Sequence, residues 1–286
     1  MNAWAARSPC DPRCVAADAA RAPAPRVLRR TAAFGRVVAG ALAAPGRLGD
    51  PEVVRARAQA VLDALDVRLE HRGGTLGEPG PTGTLVVANH ISWLDVIALL
   101  AVEPVTMLAK NQVGDWPLVG PLVKRAGTMF IDRDSLRELP GTVARIADRL
   151  RAGRSVMVFP QGVTWCYGTG GPFRRAAFQA ALDAGAPVRP VTLDYFQRRD
   201  PTTVAAFVGE DDFARSLGRV IRAADLRVRV TVHRALPPAP GDRRALAARA
   251  RAAVAGTPAP PARVPGIRRS APPPVGLRTP DLWTPG

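Results

Sequence analysis

With 286 residues, 47% of them apolar, the chain can hold one large domain or two small ones around an ordinary core. Its net charge of +16 invites a nucleic-acid partner. Aromatic residues make up only 5% of the chain, basic residues are spread rather than striped, and no DNA- or RNA-binding motif is present, so that class is set aside. Lys110 and Lys124 are the only lysines, and arginine supplies the other cations. What remains is a cationic surface suited to lipid head groups, acidic carrier proteins or phosphate.

Cysteines occur at Cys10, Cys14 and Cys166, and histidines only at His71, His90 and His233. A single C-x3-C pair with so few histidines predicts neither a zinc site nor a disulfide framework, so no metal is expected and a reducing cytoplasm is the default. Residues 1–20 lack the continuous apolar core of a secretory leader. The apolar stretch 31–44 is too short to span a bilayer and is cut by Arg36.

In chain order, residues 1–25 are rich in Ala, Arg and Pro and are expected to be poorly ordered. Over 26–42, Val27, Phe34, Val37, Val38, Ala41 and Leu42 recur at helical spacing, with Arg29, Arg30 and Arg36 around them. Such a helix suits a membrane interface, and equally suits packing on the protein's own core. A second helix is expected over 51–69, with Val54, Ala58, Val61, Leu62, Leu65 and Leu69 on one face and Gly73 and Gly74 closing it. Residues 26–72 are thus expected to form a helical, membrane-associating segment.

The pattern then alternates. Strands at 84–88, 105–109, 128–131, 155–159, 188–195 and 227–235 are separated by helices near 92–102, 117–126, 137–152, 174–184 and 211–224. Pro117 and Pro140 fit first-turn positions. A helix at 241–254 is expected to complete a domain over 73–255, and the Pro-rich residues 256–286 are expected to form a disordered tail. This alternation predicts an α/β fold, a largely parallel sheet flanked by helices.

In a parallel sheet the carboxyl ends of the strands share one edge, where ligands bind. Four of the expected strands deliver polar residues there: His90, Lys110, Asp132 with Arg133, and Gln161 with Gly162. His90 with Asp95 one turn into the next helix has the makings of a general base. Ser92 and Asp95 also read as a capping box that merely starts that helix. Lys110 is either a solvated lysine or a compact point charge that arginine would not replace. Arg133 belongs either to a surface ion-pair cluster with Asp132, Asp134 and Arg137 or to a phosphate contact. Gly162 fits ordinary turn chemistry as well as a binding loop. Trp93, Trp116 and Trp165 suit packing better than base stacking.

These residues carry a family resemblance. Asn89-His90-Ile91-Ser92-Trp93-Leu94-Asp95 resembles the first motif of the glycerolipid acyltransferases, the lysophosphatidic acid acyltransferase family. Gly127-Thr128-Met129-Phe130-Ile131-Asp132-Arg133 resembles the second and Phe159-Pro160-Gln161-Gly162-Val163-Thr164 the third. Ala186-Pro187-Val188-Arg189-Pro190-Val191 resembles the fourth. Trp165-Cys166 and Pro172-Phe173-Arg174 resemble the actinobacterial branch.

The resemblance implies an α/β acyltransferase fold with an N-terminal membrane-binding element. It implies acyl-CoA or an acyl-carrier protein as donor, a lysophospholipid acceptor, no further cofactor, and a peripheral place on the cytoplasmic face of the membrane. By this resemblance His90 is the base, Asp95 fixes its tautomer, and Arg133 holds an acceptor phosphate. Lys110 helps the phosphate or the oxyanion, and Gln161 and Gly162 line the acceptor site. Asn89, Ser92, Gly127, Phe159, Pro160 and Pro190 are motif positions of structural weight. The chain departs from the pattern where Gln161 replaces a glutamate and Val163 a threonine, which leaves room for another lysolipid acceptor such as lyso-ornithine lipid. It also leaves room for a weakly active or non-catalytic membrane-binding role.

Overall fold

The computed structural model describes residues 6–16, 19–44, 49–116, 119–132, 135, 137–168, 170–237 and 242–256. Helices α1 (Ala24–Ala43) and α2 (Pro51–Leu65) come first, followed by strand β1 (Arg68–Arg72). The alternation then runs β2 (Leu85–Ala88), α3 (Leu94–Val102), β3 (Thr106–Lys110), α4 (Val119–Arg125), β4 (Met129–Ile131) and α5 (Leu139–Arg151). It continues with β5 (Val156–Val158), α6 (Ala176–Ala184), β6 (Val188–Gln197), the short β7 (Asp200–Pro201), α7 (Phe213–Arg222), β8 (Leu226–Val232) and α8 (Arg243–Ala255).

The sheet has the order β1-β8-β6-β2-β5-β3-β4, with β7 paired to β6. Its centre is β2, buried at every position. Period two sends Val86 and Ala88 into one core and Leu85 and Val87 into the other. The first core is packed by α2, α3 and α7, with Leu62, Leu99 and Val220 among its buried residues. The second is packed by α5, α6 and α8, with Ile146, Phe178 and Leu246. A run of apolar residues with no polar alternation is what a strand covered on both faces requires.

The expected parallel alternation holds for β2, β3, β4, β5 and β6, whose ladders all run parallel. The structure departs from expectation at the other margin. β8 runs antiparallel to β6, and β1 pairs parallel to β8. The second helix stops at Leu65 rather than Leu69, because Asp66 adopts a left-handed conformation at φ 57° and closes it. Leu69 therefore lies in β1, where Glu70 pairs with Arg227 and Arg229 of β8.

Residues 6–16 and 19–25, where little order was expected, make defined contacts: Cys14 is buried, and the Ala16 N–H donates to Thr203 Oγ1 at 2.9 Å. These anchors are single residues in an Ala- and Pro-rich background, so no periodicity marks them. Helix α1 lies against α2 and α7, with Val27 and Phe34 on the first core. Arg30, grouped by sequence with the surrounding cations, is instead buried. It donates to the Ile221 and Ala223 carbonyls at 2.8 and 2.6 Å and pairs with Asp66 at 2.8 Å. That guanidinium holds the Asp66 carboxyl below the ordinary carboxylate range. Leu28 stays 72% exposed. Among the described residues, no helix is long and apolar enough to cross a membrane.

Candidate active site

His90 sits two residues past β2, on the edge of the sheet where β2, β3, β4 and β5 all end. The β2–β6 ladder stops at Ala88 opposite Val191. Asn89 continues it with its side chain, donating from Nδ2 to the Leu193 carbonyl and accepting the Leu193 N–H at Oδ1, both at 2.8 Å. The side chain of Asn89 thus binds the β6 backbone while the main chain turns away into the loop that carries His90. Pro190 stands opposite Val87 in the same ladder, and its carbonyl accepts the His233 N–H at 3.0 Å.

The His90 Nδ1 lies 2.8 Å from Asp95 Oδ2. That oxygen also accepts the Ile91 N–H at 2.7 Å and the Ser92 N–H at 2.9 Å. The Ser92 Oγ accepts the Leu94 N–H at 3.3 Å. Only the acid's half of the capping box forms: Asp95 closes the turn before α3 and grips the histidine with the same oxygen, while the Asp95 N–H goes to the Ser92 carbonyl and α3 starts after Trp93 with no side-chain cap. Asp95 itself is 0% exposed. All its partners are donors, an arrangement that suits an acceptor-only carboxylate.

A fourth donor comes from a residue the sequence did not single out. Tyr195, on β6, donates its hydroxyl to Asp95 Oδ1 at 2.6 Å. Burial, then the adjacent charge of Asp95, pushes its phenol well above the ordinary tyrosine value, so it remains a proton donor. The signal available in sequence was slight: a tyrosine inside an apolar strand needs a partner for its hydroxyl.

The His90 ring is further held by Phe159, stacked on it at 3.9 Å with an interplanar angle of 11°. Gln161, buried in the turn after β5, accepts the His90 N–H at Oε1, 2.9 Å away. The His90 carbonyl accepts the Trp165 N–H at 2.8 Å. The Pro160 carbonyl accepts the Arg174 N–H, and Gly162 takes the left-handed φ of 75° that the turn requires. Imidazole geometry leaves Nε2 on the edge away from Asp95, and the His90 side chain is 20% exposed.

The remaining expected site residues stand further along the same edge. Lys110 ends β3, exposed and in register with Ile131 of β4; Asp132 follows that strand. Neighbouring strands lie about 4.8 Å apart, which puts the end of β3 about 10 Å and that of β4 about 14 Å from the end of β2. Arg133, like Asp134 and Pro117, lies outside the described residues. Gly127 has a structural place, in the left-handed conformation that ends α4. Trp93 and Trp116 pack edge-on or tilted against Phe213, and Trp116 also meets Phe207.

A histidine held at Nδ1 by a buried carboxylate, on the carboxyl edge of a parallel sheet, defines a site of the histidine–carboxylate type able to take a proton from a hydroxyl. Comparison with known proteins narrows the class. A family model described as acyltransferase matches residues 77–194. The chain is 37% identical over 176 residues to the 1-acyl-sn-glycerol-3-phosphate acyltransferase of Neisseria meningitidis serogroup B, covering 60% of this chain and 67% of that one. It is 37% identical over 178 residues to the lyso-ornithine lipid O-acyltransferase of Pseudomonas aeruginosa, covering 62% and 69%.

In fold alone it resembles the crystal structure of the 1-acyl-sn-glycerophosphate acyltransferase of Thermotoga maritima. That match has a TM-score of 0.57 over 81% of this chain and 92% of that one, at 16% identity. The chain belongs to the glycerolipid acyltransferase family: it is an O-acyltransferase that takes a lysolipid acceptor and an acyl donor.

Proposed function

We propose that the protein transfers a fatty acyl group from acyl-CoA or an acyl-carrier protein to the free hydroxyl of 1-acylglycerol 3-phosphate, giving phosphatidic acid. The observation that carries the mechanism is the 2.8 Å contact between His90 Nδ1 and the buried Asp95. With Nδ1 donating to the acid, Nε2 holds the lone pair and acts as the base. As the acceptor oxygen attacks the thioester carbonyl carbon, its proton passes to Nε2, and Asp95 stabilises the imidazolium that forms. Collapse of the tetrahedral intermediate breaks the carbon–sulfur bond, and the departing thiolate takes the proton back. Phe159 and the backbone bonds from Gln161 and Trp165 hold the ring in place before the reaction begins.

Lys110 serves the acceptor phosphate or the oxyanion, and Arg133 the phosphate, as the motif resemblance implies. The reaction takes place at a membrane surface on the cytoplasmic side. That location is supported by the exposed Leu28 and the cations of α1, Arg26, Arg29 and Arg36, which suit anionic head groups. The family glutamate that Gln161 replaces would differ in charge. In this chain the side-chain oxygen accepts the His90 N–H, a task that an amide performs as well as a carboxylate.

A second acceptor, lyso-ornithine lipid, is favoured by one observation: the Pseudomonas aeruginosa relative named for it is as similar as the one named for 1-acylglycerol 3-phosphate.

The test is transfer of labelled palmitoyl and oleoyl groups from acyl-CoA and from acyl-carrier protein to a panel of lysolipids, with His90→Ala as control. Phosphatidic acid formed by the wild type and reduced at least about 10³-fold in the variant is the expected result. Product from lyso-ornithine lipid alone moves the acceptor and keeps the base. A fully active His90→Ala protein overturns the mechanism.

A further inference from the structure

Cys10, Cys14 and Cys166 are the only cysteines in the chain, and the fold brings all three together. Cys14 closes the 3-10 turn Pro12–Cys14, with Cys10 just before it. Cys166 is 156 residues from Cys10, in the loop after β5 that also carries Gln161. The three sulfurs lie within 4.8 Å of one another, and Cys10 Sγ stands 3.1 Å from Cys166 Sγ. The Cys166 N–H donates to Cys10 Sγ at 3.3 Å. Cys14 and Cys166 are buried and Cys10 is half-buried. Packing alone asks for no such grouping, since three small apolar side chains would fill the space as well.

We propose that Cys10, Cys14 and Cys166 form a three-thiolate site for Zn2+ that ties the N-terminal segment to the loop behind His90. Thiolate sulfur selects soft or borderline cations over Mg2+ and Ca2+. Sulfurs held about 2.3 Å from a shared zinc stand about 3.8 Å apart, so ligation widens the Cys10–Cys166 pair by less than about 1 Å. Three protein ligands leave a fourth position for water, on the half-exposed Cys10 side. Zinc binding displaces the thiol protons.

The site would staple three segments. A Cβ at Gly209 would stand 3.1 Å from Asp11 Cα and 3.4 Å from the Cys10 carbonyl oxygen, and Cys166 follows Trp165, whose N–H holds the His90 carbonyl. The C-x3-C spacing gave no hint of this, because the third ligand comes from a distant loop.

The experiment is elemental analysis of the full chain purified under reducing conditions, with Cys10→Ser and Cys166→Ser alongside. A zinc titration against a chromophoric chelator and Co2+ substitution accompany it. About one zinc per wild-type chain is expected, with an intense sulfur-to-cobalt charge-transfer band, and both are lost in each variant. Zinc should also slow tryptic cleavage after Arg13, and chelation should restore it. Circular dichroism checks folding. Should Cys166→Ser unfold, the half-buried Cys10→Ser decides. No zinc uptake by the wild type, or full retention by either folded variant, overturns the site. So does a wild-type chain that, denatured with chelator and without reductant, offers only one reactive thiol, because the cluster would then be a disulfide.

Discussion

The edge of the sheet above β2, β5 and β6 and the edge above β3 and β4 are continuous, yet they are built on opposite principles. At the first, Asn89, Asp95, Gln161 and Tyr195 are buried and bound to neighbours, and they hold a His90 that is itself partly exposed. Asp95 accepts from His90, Ile91, Ser92 and Tyr195, and Asn89 bridges to β6. At the second, Lys110 is exposed at the end of its strand. Precision is needed at the first edge and not at the second. Proton transfer depends on a fixed ring orientation, which only buried, mutually satisfied groups provide. A lysine in the role proposed for Lys110 would act as a point charge on a flexible stem and would need only to reach the acceptor's charge.

The strongest way to break this contrast is Asp95→Asn. The amide keeps the volume but brings its own N–H groups into a cluster of donors, so the His90 tautomer is lost. Activity should fall by about 10³-fold with a measurable loss of stability. Steady-state kinetics and urea unfolding, measured together, check both. Unchanged turnover would mean that the acid only closes the turn before α3.

Lys110→Ala tests the open edge. It should raise KM for a phosphate-bearing acceptor about tenfold, with kcat and urea stability nearly unchanged. A fall in kcat with KM constant would move Lys110 to the oxyanion.

The finest probe is Tyr195→Phe. It removes one donor to Asp95 from a fully buried place, and should cost about 1–2 kcal/mol in urea unfolding and a few-fold in rate. Because the phenol is pushed far above the ordinary value, the wild-type rate should show no alkaline limb below about pH 10 that disappears in this variant. Such a limb would show that Tyr195 titrates.

The local and periodic part of the molecule was legible from the order of its residues. Apolar runs bounded by turns marked β2 to β6, and helical spacing marked α1 to α8, apart from the end of α2, which stops at Leu65 rather than Leu69. The pairing of His90 with Asp95 was legible because both belong to one turn. The rest arose only when the chain closed on itself. That closure set the reversal of β8 and the pairing of β1, the burial of Arg30, the hydroxyl that Tyr195 brings from β6, and the meeting of Cys166 with Cys10 and Cys14. Each of these joins residues far apart in the chain, where loop closure rather than local conformation sets the partner, and such contacts leave no period in the sequence.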